Sequence, residues 1–312
     1  MMDHTMNHTM ILHHYEASPY AEKIRLMFGL TNAHWKSLLS PVQPPRPSVD
    51  PLTGGYRRIP VAQLGADIFC DTAVIAREVA MATRCQALDP TRADQASAVL
   101  MKQAEQEAFF AAIGAVKPLR LLGTMIRQFG PIGTYRFAKD RAGLLKGGTA
   151  RPPKGPESQA VLKSLLTALE IKLSEQPWVG GDEASVADFA IYHPLWLYVS
   201  CNRRPLKAGV QVIDWYHRVS EIGHGRREEI TQDVAFSVAR NAEPRPLPDS
   251  VPNKTVKIGG LVEVAPSDYG VLPVTGNLAA MTEERIIIAR KTTDFGNLNV
   301  HFPRAGYALT PK

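Results

Sequence analysis

Residues 11–30, ILHHYEASPYAEKIRLMFGL, constrain the fold more than any other stretch. Ile11 and Leu12 open a short apolar run, and His13 to Ala17 carry the chain out of it. Ser18 and Pro19 stand where a helix begins: a serine hydroxyl caps the orphan N–H groups of a first turn, and proline is tolerated at the first helical position. Ile24, Met27 and Phe28 then recur at helical spacing, which sets Glu22, Lys23 and Arg25 on the wet side. A strand that hands over to a helix N-terminus holds small polar groups in a weakly positive field, and a thiolate is an anion that such a field suits. Ser18 therefore reads in two ways that share one geometry. It is a helix cap, or a hydroxyl that donates to a ligand thiolate, lowers its pKa and leaves more nucleophile at neutral pH.

The next fifty residues add a pattern around that corner. HWKSL (34–38) forms a second strand, and a proline-rich loop follows with Pro41, Pro44, Pro45, Pro47 and Pro51. Val61–Leu64 and Asp67–Phe69 read as two strands about a tight turn at Gly65–Ala66. Asp71 or Thr72 caps a helix running to about Ala82. Strand, helix, three strands and helix in some 75 residues is the order of small α/β domains of the thioredoxin kind. In that setting a cis Ile59–Pro60 bond would leave the backbone of Val61 open to a ligand. Asp71 and Thr72, at a second helix N-terminus, would hold the ammonium and carboxylate of an amino-acid-like group. Tyr15 and His14 end the first strand; Tyr15 reads as a core aromatic and His14 as a site wall. Cys70 reads as buried and structural.

From Thr91 the pattern is helical to about residue 240, interrupted over 130–156 by glycine and proline around a short helix at Tyr135–Leu145, which predicts an all-helical second unit. Ser185 with Asp188 forms a variant capping box before the apolar run Phe189–Val199, in which Pro194 predicts a kink. Residues 209–221 and 226–239 read as the last two helices. The proline-rich segment 241–253 is a linker or strap. Residues 254–312 then change to strand period, a β unit too small for an independent core that should pack on the helical body or on a partner. The expected units are thus 10–85, 91–240 and 254–312.

Composition narrows the function classes. No apolar run reaches membrane-spanning length, and residues 1–10 lack the basic-then-apolar layout of a signal peptide, so they read as a disordered lead or a misplaced start. Three scattered cysteines argue against a disulfide framework and fit a reducing cytoplasm. No metal-ligand spacing occurs among the nine histidines, which include His4 and His8. The net charge of +6 shows no run interleaved with aromatics, so neither nucleic acid nor membrane is an expected partner.

Four segments, in order, resemble the glutathione transferase superfamily: SPYAEKIR, RRIPV, CDTAVIAREV and WVGGDEASVADFAIY. The resemblance spans about residues 10–240 and implies a thioredoxin-like domain followed by an all-helical one. It implies Ser18 at the catalytic serine or cysteine position and glutathione as co-substrate. His14, Tyr15, Ile59, Pro60, Val61, Asp71 and Thr72 would bind the tripeptide. Asp71–Thr72 stands where the family usually has Glu–Ser. Ser185 and Asp188 would be folding determinants, and a homodimer is implied. Helix faces suggest Phe109, Phe110, Met125 and Tyr135 as the wall of an electrophile pocket.

Serine rather than cysteine at position 18 favours transfer, glutathione attacking a small hydrophobic electrophile, over reduction through a mixed disulfide. Two alternatives stay open. One is a non-catalytic binding or assembly module acting through the C-terminal β unit. The other is a glutathione-dependent lyase or dehalogenase.

Overall fold

The strand–turn–helix corner forms where the spacing sets it. In a computed structural model, which describes residues 9–251 and 255–312, β1 (Ile11–His14) leads through Ser18 into α1 (Pro19–Leu30). The expectation for residues 1–8 lies outside the described residues. A parallel crossover through α1 brings β2 (His34–Leu39) beside β1, in the register Leu12 opposite Ser37. The proline-rich loop contains a short helix α2 (Asp50–Thr53) and a cis Pro44–Pro45 bond. β3 (Val61–Leu64) runs antiparallel to both β1 and β4 (Asp67–Cys70), and α3 (Thr72–Thr83) follows. The Ile59–Pro60 bond is cis.

Strand alternation sends this sheet's side chains into two cores. Leu12, Ala62 and Phe69 share one cluster with α1 and α3, whereas Val61, Ile68 and Cys70 enter another on the opposite face.

The helical unit comprises α4 (Gln95–Gln103), α5 (Phe109–Gly114), α6 (Pro118–Leu144), α7 (Pro156–Glu175), α8 (Val186–Asn202) and α9 (Val210–Glu221). Its Leu162, Leu165, Leu169 and Leu173, spaced by three and four along α7, pack with Phe189, Tyr192 and Trp215 into the same core as α1. The capping box at the head of α8 is complete. Asp188 accepts from Ser185 N–H at 2.9 Å, and its other oxygen accepts from Val179 N–H (2.9 Å) and Trp215 Nε1–H (2.8 Å). α8 runs through Pro194 to Asn202.

Two expectations about the end of the chain need correction. Residues 226–239 are not one helix: Arg226–Glu229 form β5, which pairs in parallel with β2, and only Gln232–Arg240 form a helix, α10. Gly223 and Gly225, both at positive φ, turn the chain back towards the sheet, and a Cβ on Gly225 would collide with the Phe28 and Ala33 carbonyls. α10 then lies on the first unit, where Ala235 packs with Ile11 and Leu38 and its carbonyl accepts from Gln63 Nε2–H at 2.9 Å.

The C-terminal strands also do more than pack on another body. β6 (Leu261–Pro266), β7 (Val274–Met281), β8 (Arg285–Thr292), β9 (Gly296–Pro303) and β10 (Tyr307–Pro311) continue the thioredoxin-like sheet. β9 pairs in parallel with β4, giving one ten-stranded sheet in the order β10-β6-β7-β8-β9-β4-β3-β1-β2-β5. The strands lacked a core of their own because they share one. Val262, Val264, Val274, Leu278, Ile286, Ile288, Val300 and Phe302 join the cluster that holds Val61 and Ile68. Each such aliphatic side chain, fully buried, contributes about 1.5–3 kcal/mol.

Candidate functional site

Ser18 is the N-cap of α1, with extended backbone (φ −79°, ψ 116°), and its Oγ accepts from Ala21 N–H at 3.2 Å. It is 1% exposed. The cap uses the oxygen as acceptor and leaves the hydroxyl proton to be donated elsewhere. Val61, 1% exposed, lies opposite His13 on β1 and Cys70 on β4. Asp71 caps α3 by accepting from Ala73 N–H at 3.1 Å, with φ at 92°, a strained value for a residue with a side chain. Ile59, Pro60 and Thr72 are buried, and Tyr15 is half-buried against the cluster that holds Val61 and Ile68.

His14 is not a site wall. Its Nε2 lies 2.9 Å from Ser37 Oγ and its Nδ1 accepts from Arg25 at 3.1 Å, so both ring nitrogens are committed to the interior. Burial, and then the nearby Arg25 charge, push its pKa down to about 3. The polar side of α1 is likewise not wet. Glu22, Lys23 and Arg25 are all buried, because partners from other segments reach them. Arg25 binds Glu22 at 2.6 Å, His224 meets the other Glu22 oxygen at 3.1 Å, and Lys23 pairs with Glu105 of the helical unit.

The electrophile-wall residues separate. Phe109 packs on Tyr20 with ring centroids 4.6 Å apart and on Phe110 at 5.2 Å, so these two stand where the helical unit meets α1. Met125 is half-buried on the first half of α6. Tyr135 is 69% exposed on the second half, beyond Gly130, whose φ of 69° breaks the helix, and so faces solvent. Cys70 is fully buried, and burial raises its thiol pKa well above the ordinary value.

Three residues that sequence reasoning missed complete the site: Arg58, Tyr269 and Tyr307. Tyr269 stands in the connection between β6 and β7 and enters the cleft from the C-terminal strands. Its ring lies 3.9 Å under the Arg58 guanidinium and edge-on to Phe110 at 5.5 Å. Arg58 bonds Asp71 at 3.4 Å, Asp268, and the Tyr269 carbonyl at 2.8 Å. Tyr307 donates to Asp71 at 3.0 Å and lies 2.6 Å from the Tyr56 hydroxyl. The Asp71 carboxylate, expected to grip an amino-acid-like ligand, thus already meets an arginine and a tyrosine of its own chain.

Backbone bonds fasten the same connection to the end of α6: Thr149 N–H donates to Ser267, Ala150 N–H to Asp268, and Gly270 N–H to Leu144. A Cβ at Gly148 would strike the Asp268 carbonyl, so the close approach requires glycine there. Among the described residues no group of three His, Cys, Asp or Glu side chains is placed to hold a metal ion, and no single helix is long and apolar enough to cross a membrane.

Residues 12–83 match the family model of the glutathione S-transferase N-terminal domain. A solved GST-like protein from Pseudomonas syringae is 29% identical, with a TM-score of 0.73, over 97% of this chain and all of its own. Residues 12–83 thus carry a glutathione S-transferase N-terminal domain, and nearly the whole chain is similar to a GST-like protein. The resemblance to the Pseudomonas protein includes the region of the C-terminal strands, since the match covers nearly the whole chain. A glutathione S-transferase from Rhodospirillum rubrum F11 is 17% identical over 68% of this chain and 88% of its own, with a TM-score of 0.45. A glutathione S-transferase-I bound with lactoylglutathione is 16% identical over 69% of this chain and 98% of its own, with a TM-score of 0.43. No curated protein sequence matches the chain. Ser18, the cis-proline turn and Asp71 lie on the thioredoxin-like domain, and Phe109 and Phe110 lie on the helical unit. Arg58 and Tyr269 sit at the seam between them.

Proposed function

We propose that the protein is a glutathione transferase that binds glutathione along Ser18, Val61 and Asp71 and directs its thiolate at a small hydrophobic electrophile beside Phe109 and Phe110. The single observation that carries this reading is the Ser18 cap. Its oxygen is occupied by Ala21 N–H, which leaves the hydroxyl proton for a sulfur at the positive end of α1. A hydrogen bond to the thiolate favours the charged form and so lowers the thiol pKa. Tyr269 lies across this cleft, so the thiol enters as Tyr269 moves aside. The reading includes a homodimer in the cytoplasm.

A second reading is favoured by a specific observation: Asp71 is held by Arg58 and Tyr307, and Ser18 is almost fully buried. In that reading the domain is a non-catalytic module whose ligand groove is filled by its own side chains.

Titration with glutathione, followed by thiolate absorbance near neutral pH, separates the two. The transferase binds glutathione and lowers its thiol pKa, and Ser18→Ala, still folded by circular dichroism, loses about a hundredfold in turnover. A turnover unchanged by Ser18→Ala removes the role assigned to the hydroxyl. No glutathione binding at any concentration leaves the module.

A further inference from the structure

We propose that the outer face of α6 docks on an anionic lipid surface, lying on it rather than spanning it. The positive charge of this protein is not spread evenly. Residues 117–151 hold eight lysines and arginines and one acid, Asp140. Their excess of seven is larger than the net +6 of the whole chain, so the remaining residues sum to slightly below neutral. In linear sequence these charges stand two to nine positions apart and form no run. Five of them, Arg120, Arg127, Arg136, Lys139 and Arg141, lie on α6, and Lys117 and Lys146 flank its ends.

The lone acid does not neutralise them. Asp140 is taken by Arg57 at 2.6 Å, with Arg141 at 3.8 Å. Among the described residues no carboxylate lies within 4 Å of Lys117, Arg127, Arg136, Lys139 or Lys146. All five are exposed.

The same element exposes bulky apolar side chains. Leu119, Leu122 and Ile126, at i, i+3 and i+7, share one face of its first half, and Leu119 is 84% exposed. After the break at Gly130, Ile132 and Tyr135, both 69% exposed, share a face with Arg136 and Lys139. Thr134 is the one fully buried residue of the 27 in this helix. Apolar side chains interleaved with unpaired cations are the composition of helices that rest at the boundary between headgroups and acyl chains. Each lysine or arginine near an anionic leaflet adds to the attraction.

Other occupants fit less well. A second copy seated face to face would set the same excess of positive charge against itself, and a nucleic acid would leave Leu119 and Ile132 in water. An acidic protein would need a groove, and α6 presents the outer surface of a helix.

The test is co-sedimentation of the full chain with vesicles of phosphatidylcholine alone and of phosphatidylcholine mixed with phosphatidylglycerol. Binding is expected to the anionic vesicles only and to fall as salt rises. Arg136→Glu with Lys139→Glu, and separately Leu119→Ser with Ile132→Ser, should each weaken it about tenfold or more. All four positions are exposed, so circular dichroism should be unchanged. Failure to bind anionic vesicles, equal binding to neutral ones, or binding indifferent to both variants overturns the proposal. So does light scattering that shows a dimer dissolved by Leu119→Ser with Ile132→Ser, because a second copy would then own the face. The proposal is independent of the transferase reading, since the readout involves no thiol.

Discussion

Nε2 of His301, on β9, lies 2.7 Å from Oδ1 of Asp67, on β4, where the C-terminal strands join the thioredoxin-like sheet. Both residues are buried, and the second Asp67 oxygen accepts from Arg245 N–H at 2.9 Å. Glu78 of α3 extends the network to Arg285 at 2.7 Å and Arg245 at 3.0 Å, and the His301 ring stacks on Phe69. Asp67→Ala strands the buried His301 ring and the Arg245 amide, and takes one partner from the exposed Arg245 guanidinium. It should cost about 3 kcal/mol, read as a lower urea midpoint. Asp67→Asn keeps one acceptor and should cost less. If Asp67→Ala unfolds at the wild-type midpoint, the seam is held by strand pairing and apolar contact alone.

Stability should fall as the solution is acidified below pH 6.5. Burial lowers the His13 pKa to about 4. Burial, with Lys23 nearby, lowers that of His193 to about 3. The unfolded chain binds protons at these sites near pH 6.5 and the folded chain does not. Their contribution is therefore whole above pH 6.5 and is lost as pH drops towards the folded values. Each group contributes a slope of about 1.4 kcal/mol per pH unit in that window. His193 is the cleaner test. Among the described residues neither of its ring nitrogens has a hydrogen-bond partner, and Tyr20 and Phe109 pack on the ring. His193→Leu should flatten the pH dependence of the denaturation midpoint by about one proton and stabilise the protein at pH 5.5. An unchanged slope would mean that His193 takes up its proton in the folded state.

Much of the first domain was legible because its signals are local. Ser18–Pro19, the turn at Gly65–Ala66 and the Asp71 cap act within a few residues, and each appears where the pattern puts it. The buried polar face of α1 was not legible, since Glu105 and His224, which satisfy it, stand more than 80 positions away. β5 was misread because RREE has no apolar alternation. Its place comes from backbone pairing with β2 and from glycine turns. The cleft was half legible. Ser18 and Asp71 carry their meaning in their neighbours, whereas Arg58 is a surface-like arginine until Tyr269, over 200 residues on, folds onto it. The spread of basic residues over 117–151 hid a cluster that only helical geometry assembles.

In the transferase reading proposed above, the Tyr269 ring is the cover over the thiol's path. It is held by the Arg58 guanidinium and by an edge-on contact with Phe110. Cation–π and edge contacts of this kind contribute about 1 kcal/mol each. A closed state favoured by that much lowers apparent ligand affinity by the fraction of molecules that are open, about tenfold for each 1.4 kcal/mol. Tyr269→Ala removes the ring and should tighten glutathione binding about tenfold by calorimetry. Asp268→Asn, which loosens the grip of Arg58 on the same connection, should tighten it less. Amide exchange at Ala150 and Gly270, whose bonds tie the connection to α6, should quicken in both variants without any ligand present. Faster exchange with unchanged affinity would make Tyr269 a wall of the cleft and not its cover. Weaker binding in Tyr269→Ala would make its ring part of the ligand's own contact.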